Sequence, residues 1–309
     1  MKPKILLLFF FFLRFAVAQV YLPASPGEII HHTHYSLAYA EEHEQPYWVT
    51  YTLTKEQVNG TVSRSDQFRP DPAVSTESAQ LADYKASGYD RGHICPAADM
   101  KISSQAMSES FFLSNMSPQN PSFNRGVWNK LEEYVRQIAN TFHTIHVVTG
   151  PIFCDNLGTI GANHVTIPGY FYKVIYIPEP QTMLGFVIPN QPGKQKLYQY
   201  TLTIDSIETL TGIDFFPQLD TTLQASLEAT IPNESAIISP ASVQPEHALA
   251  HPFSNKSSSV SANACVGSNV IEAIPASQCL GIAKSTGQRC KSKTTNPNGY
   301  CNAHQSQVP

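Results

Sequence analysis

Four apolar residues, Val127, Leu131, Val135 and Ile138, recur at helical spacing. Around this helix the apolar runs are of another kind. Residues 47–53, Tyr-Trp-Val-Thr-Tyr-Thr-Leu, have the aromatic and β-branched composition of a strand. Residues 145–148, 171–177 and 183–188 read alike and are bounded by Gly150-Pro151, Pro178 and Pro189. A second helix is expected over 204–210, with Asp205 and Glu208 as a capping box and Gly212 as its stop. Strands interrupted by so few helices predict an α+β unit.

That texture continues through residues 19–220, which are expected to form one domain. Residues 221–275 are dominated by Ser, Ala, Pro, Thr and Asn, including Ser257-Ser258-Ser259, and read as a flexible linker. Residues 276–309 concentrate Cys, Lys and Arg in a small module. At the other end, Lys2 and Lys4 precede an unbroken apolar run over 5–13, and Ala16-Val17-Ala18 follows it. This layout predicts a signal peptide over 1–18, since the run is shorter than the ~20 residues a bilayer helix needs. The expectation is an exported protein, periplasmic or secreted, without membrane attachment once the leader is removed.

An apolar fraction of 42% excludes wholesale disorder. Charged residues make up only 14%, against roughly 25% in an average soluble protein, which speaks against a coiled coil or a histone-like coat on nucleic acid. The net charge is −4. A polyanionic substrate is therefore not drawn in by bulk attraction, and a local basic site or a bound cation must do that work.

The chemistry concentrates in Tyr89-Asp90-Arg91-Gly92-His93-Ile94-Cys95 and in the blocks that follow. Asn124 sits just before the amphipathic helix, and Glu132 and Arg136 stand four residues apart on one of its faces. Asn and Glu oxygens suit a hard cation such as Mg²⁺, which keeps several waters. His93 is a natural proton acceptor for a water nucleophile. Arg91 and Arg136 are permanently charged forks that match phosphate oxygens. Together these are the parts for phosphodiester hydrolysis. Each residue also has a plainer role open to it: Glu132 and Arg136 as a solvated pair, Trp128 as core, Asn115 as a turn residue.

The motifs Asp90-Arg91-Gly92-His93, Asn115-Met116-x-Pro118-Gln119 and Asn124-Arg125-Gly126-x-Trp128-x-x-Leu131-Glu132 resemble those of the DNA/RNA non-specific endonucleases of the ββα-metal (His-Me finger) class. The resemblance extends to Val148-Thr149-Gly150-Pro151, Tyr172-Lys173-Val174 and Thr211-Gly212-Ile213-Asp214-Phe215-Phe216. It covers roughly residues 35–219. It implies a central antiparallel sheet with flanking helices and a Mg²⁺-dependent, sugar-non-specific endonuclease, with Mn²⁺ as a substitute metal, DNA and RNA as substrates and 5′-phosphate products. Carried over, His93 is the general base, Asn124 the direct metal ligand, and Glu132 the holder of a metal-bound water. Arg91 and Arg136 stabilise the pentacovalent phosphate, Asn115 orients the His93 region, and Asp90 positions backbone. Two rivals stay open. One is a silent binding or scaffolding protein on the same fold, and the other is a phosphodiesterase acting on small diesters.

The chain has six cysteines. Cys95 and Cys154 are the two within residues 19–220, and a bridge between them is the simplest pairing in an exported protein. In the tail, Cys279, Cys290, Cys301 and His304 offer four ligands for a structural Zn²⁺, while pairing Cys265, Cys279, Cys290 and Cys301 into two disulfides is equally open. This region resembles a short Cys/His-rich module appended to various bacterial proteins. Lys284, Arg289, Lys291 and Lys293 make it locally basic. His31-His32-x-His34 reads as a surface tract. Protein partners are not indicated.

Overall fold

Period-two alternation builds the middle of the molecule. A computed structural model describes residues 21–153 and 156–232, with the backbone of 277–278 and 293–294. In chain order the strands are β1 (Glu28–His31), β2 (Ser36–Ala40), β3 (Gln45–Thr54), β4 (Asp90–His93), β5 (Met116–Gln119) and β6 (Thr144–Ile152). Next come β7 (Thr159–Ile160), β8 (Val165–Thr166), β9 (Tyr170–Ile177), β10 (Thr182–Pro189) and β11 (Thr201–Leu202). Two further short strands, β12 (Ser277–Gln278) and β13 (Lys293–Thr294), pair with each other. Seven strands form one sheet in the order β1-β2-β3-β6-β9-β10-β11, antiparallel at every step. The pairs β4–β5 and β7–β8 stand apart from it. The helices are α1 (Lys55–Val58), α2 (Leu81–Tyr84), α3 (Ser104–Glu109), α4 (Asn129–Phe142), α5 (Ile204–Thr211) and α6 (Thr221–Glu228).

Successive side chains of a strand point to opposite faces. On β9, Phe171, Ile175 and Ile177 join the core that holds Leu131, Val135 and Ile138 of α4. Their neighbours Tyr172, Val174 and Tyr176 join Ile204 and Ile207 of α5, together with Phe215 and Phe216, on the other side. The sheet is thus covered on both faces, which is why its inner strands read as almost continuous apolar runs. Each such buried side chain contributes about 1.5–3 kcal/mol. The same alternation puts Lys173 on the α4 side.

The strands expected over 47–53, 145–148, 171–177 and 183–188 lie within β3, β6, β9 and β10, and the α+β class with its central antiparallel sheet holds. Three details differ. Helix α5 is capped one position before Ile204, by the Thr203 hydroxyl, which accepts from the Ser206 amide at 3.2 Å. Asp205 does not cap, and Glu208 accepts from the Phe215 amide at 2.8 Å; Gly212 does end the helix, in the left-handed conformation (φ 69°). The linker expected from 221 does not begin there. Asp220 caps α6 through the amides of Thr222 and Leu223, and Leu227 packs on the α5-side core. Finally, His32 is no surface residue: its side chain is 6% exposed and meets buried Asp71 at 2.9 Å, stacked on Phe112. An aromatic slot and a carboxylate capture it, while His31 stays exposed. The signal peptide (1–18), most of the linker and the tail residues Cys279, Cys290, Cys301 and His304 lie outside the described residues. Among the described residues no helix is long and apolar enough to cross a membrane.

Candidate active site

The motif residues assemble from two strands, a turn and a helix. Strand β4 pairs with β5, Asp90 opposite Gln119 and His93 opposite Met116. The close approach demands Gly92, because a Cβ there would meet the Gln119 amide carbon at 2.1 Å. Asn120 then turns the chain: its side-chain oxygen accepts from the Ser122 amide at 2.9 Å, and its carbonyl accepts from the Asn124 amide at 2.9 Å. A π-type turn over Phe123–Trp128, with non-helical backbone at Gly126, leads into α4. Trp128 is fully buried, a core residue.

His93 is held by rings rather than by hydrogen bonds. Phe111 meets it edge-on at 4.9 Å and Phe68 lies at 5.6 Å. Its Nε2 is buried without a hydrogen-bond partner. Each ring also carries an arginine: Arg91 stands 4.2 Å from the Phe68 centroid and Arg64 stands 4.9 Å from that of Phe111. Burial, reinforced by the charges of Arg64 and Arg91, pulls the imidazole down to about 3. At neutral pH it is uncharged and lies within the electrostatic reach of two cations. Arg64 escapes sequence reasoning because Ser63-Arg64-Ser65-Asp66 reads as an ordinary polar loop. Its guanidinium also meets Asp66 at 2.6 Å.

Asn124 is fixed by Asp90. Its Nδ2 donates to Asp90 Oδ2 at 2.9 Å, while Arg125 grips both oxygens of the same carboxylate, at 2.9 and 2.6 Å. Asp90 therefore positions side chains, not the backbone expected of it. With the amide nitrogen committed, Asn124 keeps its carbonyl oxygen as a free donor atom. A fixed oxygen on the turn into α4 fits a hard divalent cation that retains waters.

One turn into α4, Glu132 is half-buried. Desolvation raises its carboxyl above the usual range, and the charge of Lys173 opposes this most strongly. Lys173 is itself 0% exposed, its Nζ has no hydrogen-bond partner, and it lies 4.9 Å from the Trp128 ring centroid. It too was missed as a site residue, since only its strand register places it under α4. Arg136 donates from Nη1 to Asp99 Oδ1 at 3.0 Å, and Tyr51 donates to the other Asp99 oxygen at 2.9 Å. One edge of Arg136 is thus bound to a buried carboxylate.

The structure brings His93, Arg91, Asn124, Glu132 and Arg136 onto one β-β-turn-helix unit. Asn115 it does not bring to the open face. The residue is fully buried, accepting from the Cys95 amide at 2.9 Å and donating to the carbonyls of Cys95 and Ser110. It clamps the chain just past His93 and is a positioning residue, since its side chain is spent on backbone. Cys95 is a free, buried thiol packed in the α4-side core; Cys154, the partner expected for it, lies outside the described residues. A separate acidic group, Asp205, Glu208 and Glu228, belongs to α5 and α6. Burial pushes Glu208 there up to about 8.

A family model described as DNA/RNA non-specific endonuclease matches residues 15–222. Mitochondrial nuclease EXOG of Mus musculus is 35% identical over 222 residues, 65% of this chain and 60% of that protein. Mitochondrial endonuclease G of Bos taurus is 34% identical over 60% of this chain and 68% of its own length. Nuclease C1 of Cunninghamella echinulata is 33% identical over 64% and 86%. A crystal structure of the EndoG/EndoGI complex, described as showing the mechanism of EndoG inhibition, superimposes with a TM-score of 0.60 at 32% identity, covering 63% of this chain and 88% of that one. The chain spans about three-fifths of the length of the EXOG relatives it matches. These relatives overturn the expectation of an exported, periplasmic or secreted protein: EXOG and endonuclease G are mitochondrial by name.

Proposed function

This chain belongs to the DNA/RNA non-specific endonuclease family, and we propose that it hydrolyses phosphodiester bonds of DNA and RNA with the help of one bound Mg²⁺, replaceable by Mn²⁺. The observation that carries this reading is a neutral, hydrogen-bond-free imidazole within the electrostatic reach of two guanidiniums, on the same unit as an asparagine fixed by an aspartate. Asn124 would hold the cation directly and Glu132 through a water. When bound, the cation polarises the phosphate and neutralises the leaving oxygen.

The remaining steps fall to the chain. His93 accepts the proton of the attacking water; burial and the neighbouring charges keep it unprotonated at neutral pH, as a weaker base than a free imidazole. Arg91, Arg64 and Arg136 face the charge that grows on the phosphate oxygens. Asp90 keeps the Asn124 amide from rotating. These groups address phosphate rather than base edges, so weak sequence and sugar preference follows, with 5′-phosphate products. The same reading confines catalysis to residues 19–220 extended by α6, and treats 276–309 as a separate Cys/His module holding Zn²⁺ or disulfides.

The test is digestion of plasmid and of RNA by the full chain with Mg²⁺, with EDTA, and by His93→Ala. Wild type is expected to cut both substrates with metal and neither without it. Loss of the general base should slow cutting by about 10²–10⁴-fold with unchanged circular dichroism. Asn124→Ala should raise the Mg²⁺ concentration needed for half-maximal rate. A folded wild type that cuts neither polymer in Mg²⁺ or Mn²⁺ would sink the proposal. Cleavage of a small chromogenic diester in preference to polynucleotide would favour the small-diester reading.

A further inference from the structure

Beside the catalytic unit the chain makes a second concavity. Helix α2 ends at Tyr84, and the return to β4 passes through two left-handed residues, Ala86 (φ 58°) and Gly88 (φ 85°). This bend encloses a cavity of about 450 Å³ whose lining includes Leu81, Tyr84, Lys85, Tyr89, Asp90 and Arg91. The volume lies within the range of small-ligand sites.

Its walls differ in chemistry. Leu81 is 43% exposed and Tyr89 half-buried, so an apolar and an aromatic surface face the opening. Lys85 is exposed and forms no ion pair among the described residues. Tyr84 is 5% exposed, and its hydroxyl is buried without any hydrogen-bond partner. Burial holds that phenol above its ordinary range, so it stays a donor, and the charge of Arg91 reaches it.

Arg91 is what ties the cavity to catalysis. It lines the cavity and stands two residues from His93 on the same strand, with both side chains on one face. We propose that this cavity is a nucleotide subsite: the base next to the cleaved phosphate stacks on Tyr89, its own phosphate meets Lys85, and Arg91 is shared with the reacting phosphate. A π surface rimmed by cations takes any base, because every base has a π-face. The inference rests on the nuclease reading and adds to it a place for the neighbouring nucleotide, one that grips without reading sequence.

The test uses the full chain and labelled single-stranded oligodeoxynucleotides of one length, in which a single abasic residue is moved through the cleavage window. Binding is measured in EDTA and cleavage in Mg²⁺. In wild type one abasic position is expected to weaken binding and slow cleavage about tenfold, while the others change little. Tyr89→Leu keeps the apolar packing but loses the π-face, and should erase that position dependence. Lys85→Ala changes only an exposed side chain. It should weaken every oligonucleotide and lower the salt dependence of binding by about one phosphate contact. Equal behaviour of all abasic positions in wild type, or retention of the dependence in Tyr89→Leu, would overturn the subsite while leaving the nuclease reading intact. Failure of folded wild type to bind or cut any oligonucleotide would overturn both.

Discussion

A lysine ammonium without a single hydrogen bond sits under the Trp128 indole, between the carboxyls of Glu132 and Asp99 in its electrostatic reach. A desolvated cation over an aromatic face gains about 2 kcal/mol, and the two acids compensate the rest. Without Lys173, Glu132 would hold a proton to still higher pH. A carboxyl whose folded pKa lies above its unfolded value contributes stability at low pH and loses it as pH rises through the folded pKa. Lys173→Met should therefore lower the melting temperature more at pH 8 than at pH 5, and an equal loss at both would remove the charge argument. Residues of this kind were hard to read in the chain. His93, Asn124 and Glu132 lie in compact motif blocks whose chemistry is evident, whereas Arg64 reaches the site from a plain polar loop and Lys173, though it stands in the Tyr172-Lys173-Val174 block, is brought under α4 only by its strand register.

At the level of elements, the β4–β5 pair is the least forgiving part. The backbone of Gly92 lies against the Gln119 side chain, which is wholly buried with neither amide atom partnered. Gly92→Ala should misplace both Arg91 and His93 and cost about 1–3 kcal/mol of stability, the usual penalty for overpacking. Gly92→Ala/Gln119→Ala should recover much of the stability and part of the activity, measured by urea unfolding and plasmid digestion. If the second substitution rescues nothing, the contact is not the reason for glycine. The long strands were legible because they are covered on both faces and so run apolar for several residues. Short β1, β7 and β8 carry too few residues to show a period. Helix α6 was hidden by its composition, since Leu223 and Leu227 are its sole large apolar residues.

Across the whole molecule, two buried histidines contribute to the response to acid. Burial draws His146 down to about 4, and His93 lies lower still. Both are depressed, so folding is favoured above the unfolded value of about 6.5 and that stability is lost as pH falls below it. His146 is remote from the site, pressed against Tyr21. His146→Gln should flatten the fall of stability between pH 6.5 and 4.5 by up to ~3 kcal/mol, read from urea midpoints at each pH. An unchanged slope would mean that His146 is protonated in the native state. At this scale the expectation that the relatives overturned was export, since EXOG and endonuclease G are mitochondrial by name and a charged start followed by an apolar stretch carries no unique address. The way Arg91 is carried has a consequence for a protein of net negative charge. Among the described residues it has no carboxylate partner and rests on the Phe68 face, so an arriving polyanion has no resident counter-charge to evict. Capture can begin at this uncompensated cation and its neighbour Lys85, while the net negative charge of the chain discourages the cut strand from lingering elsewhere.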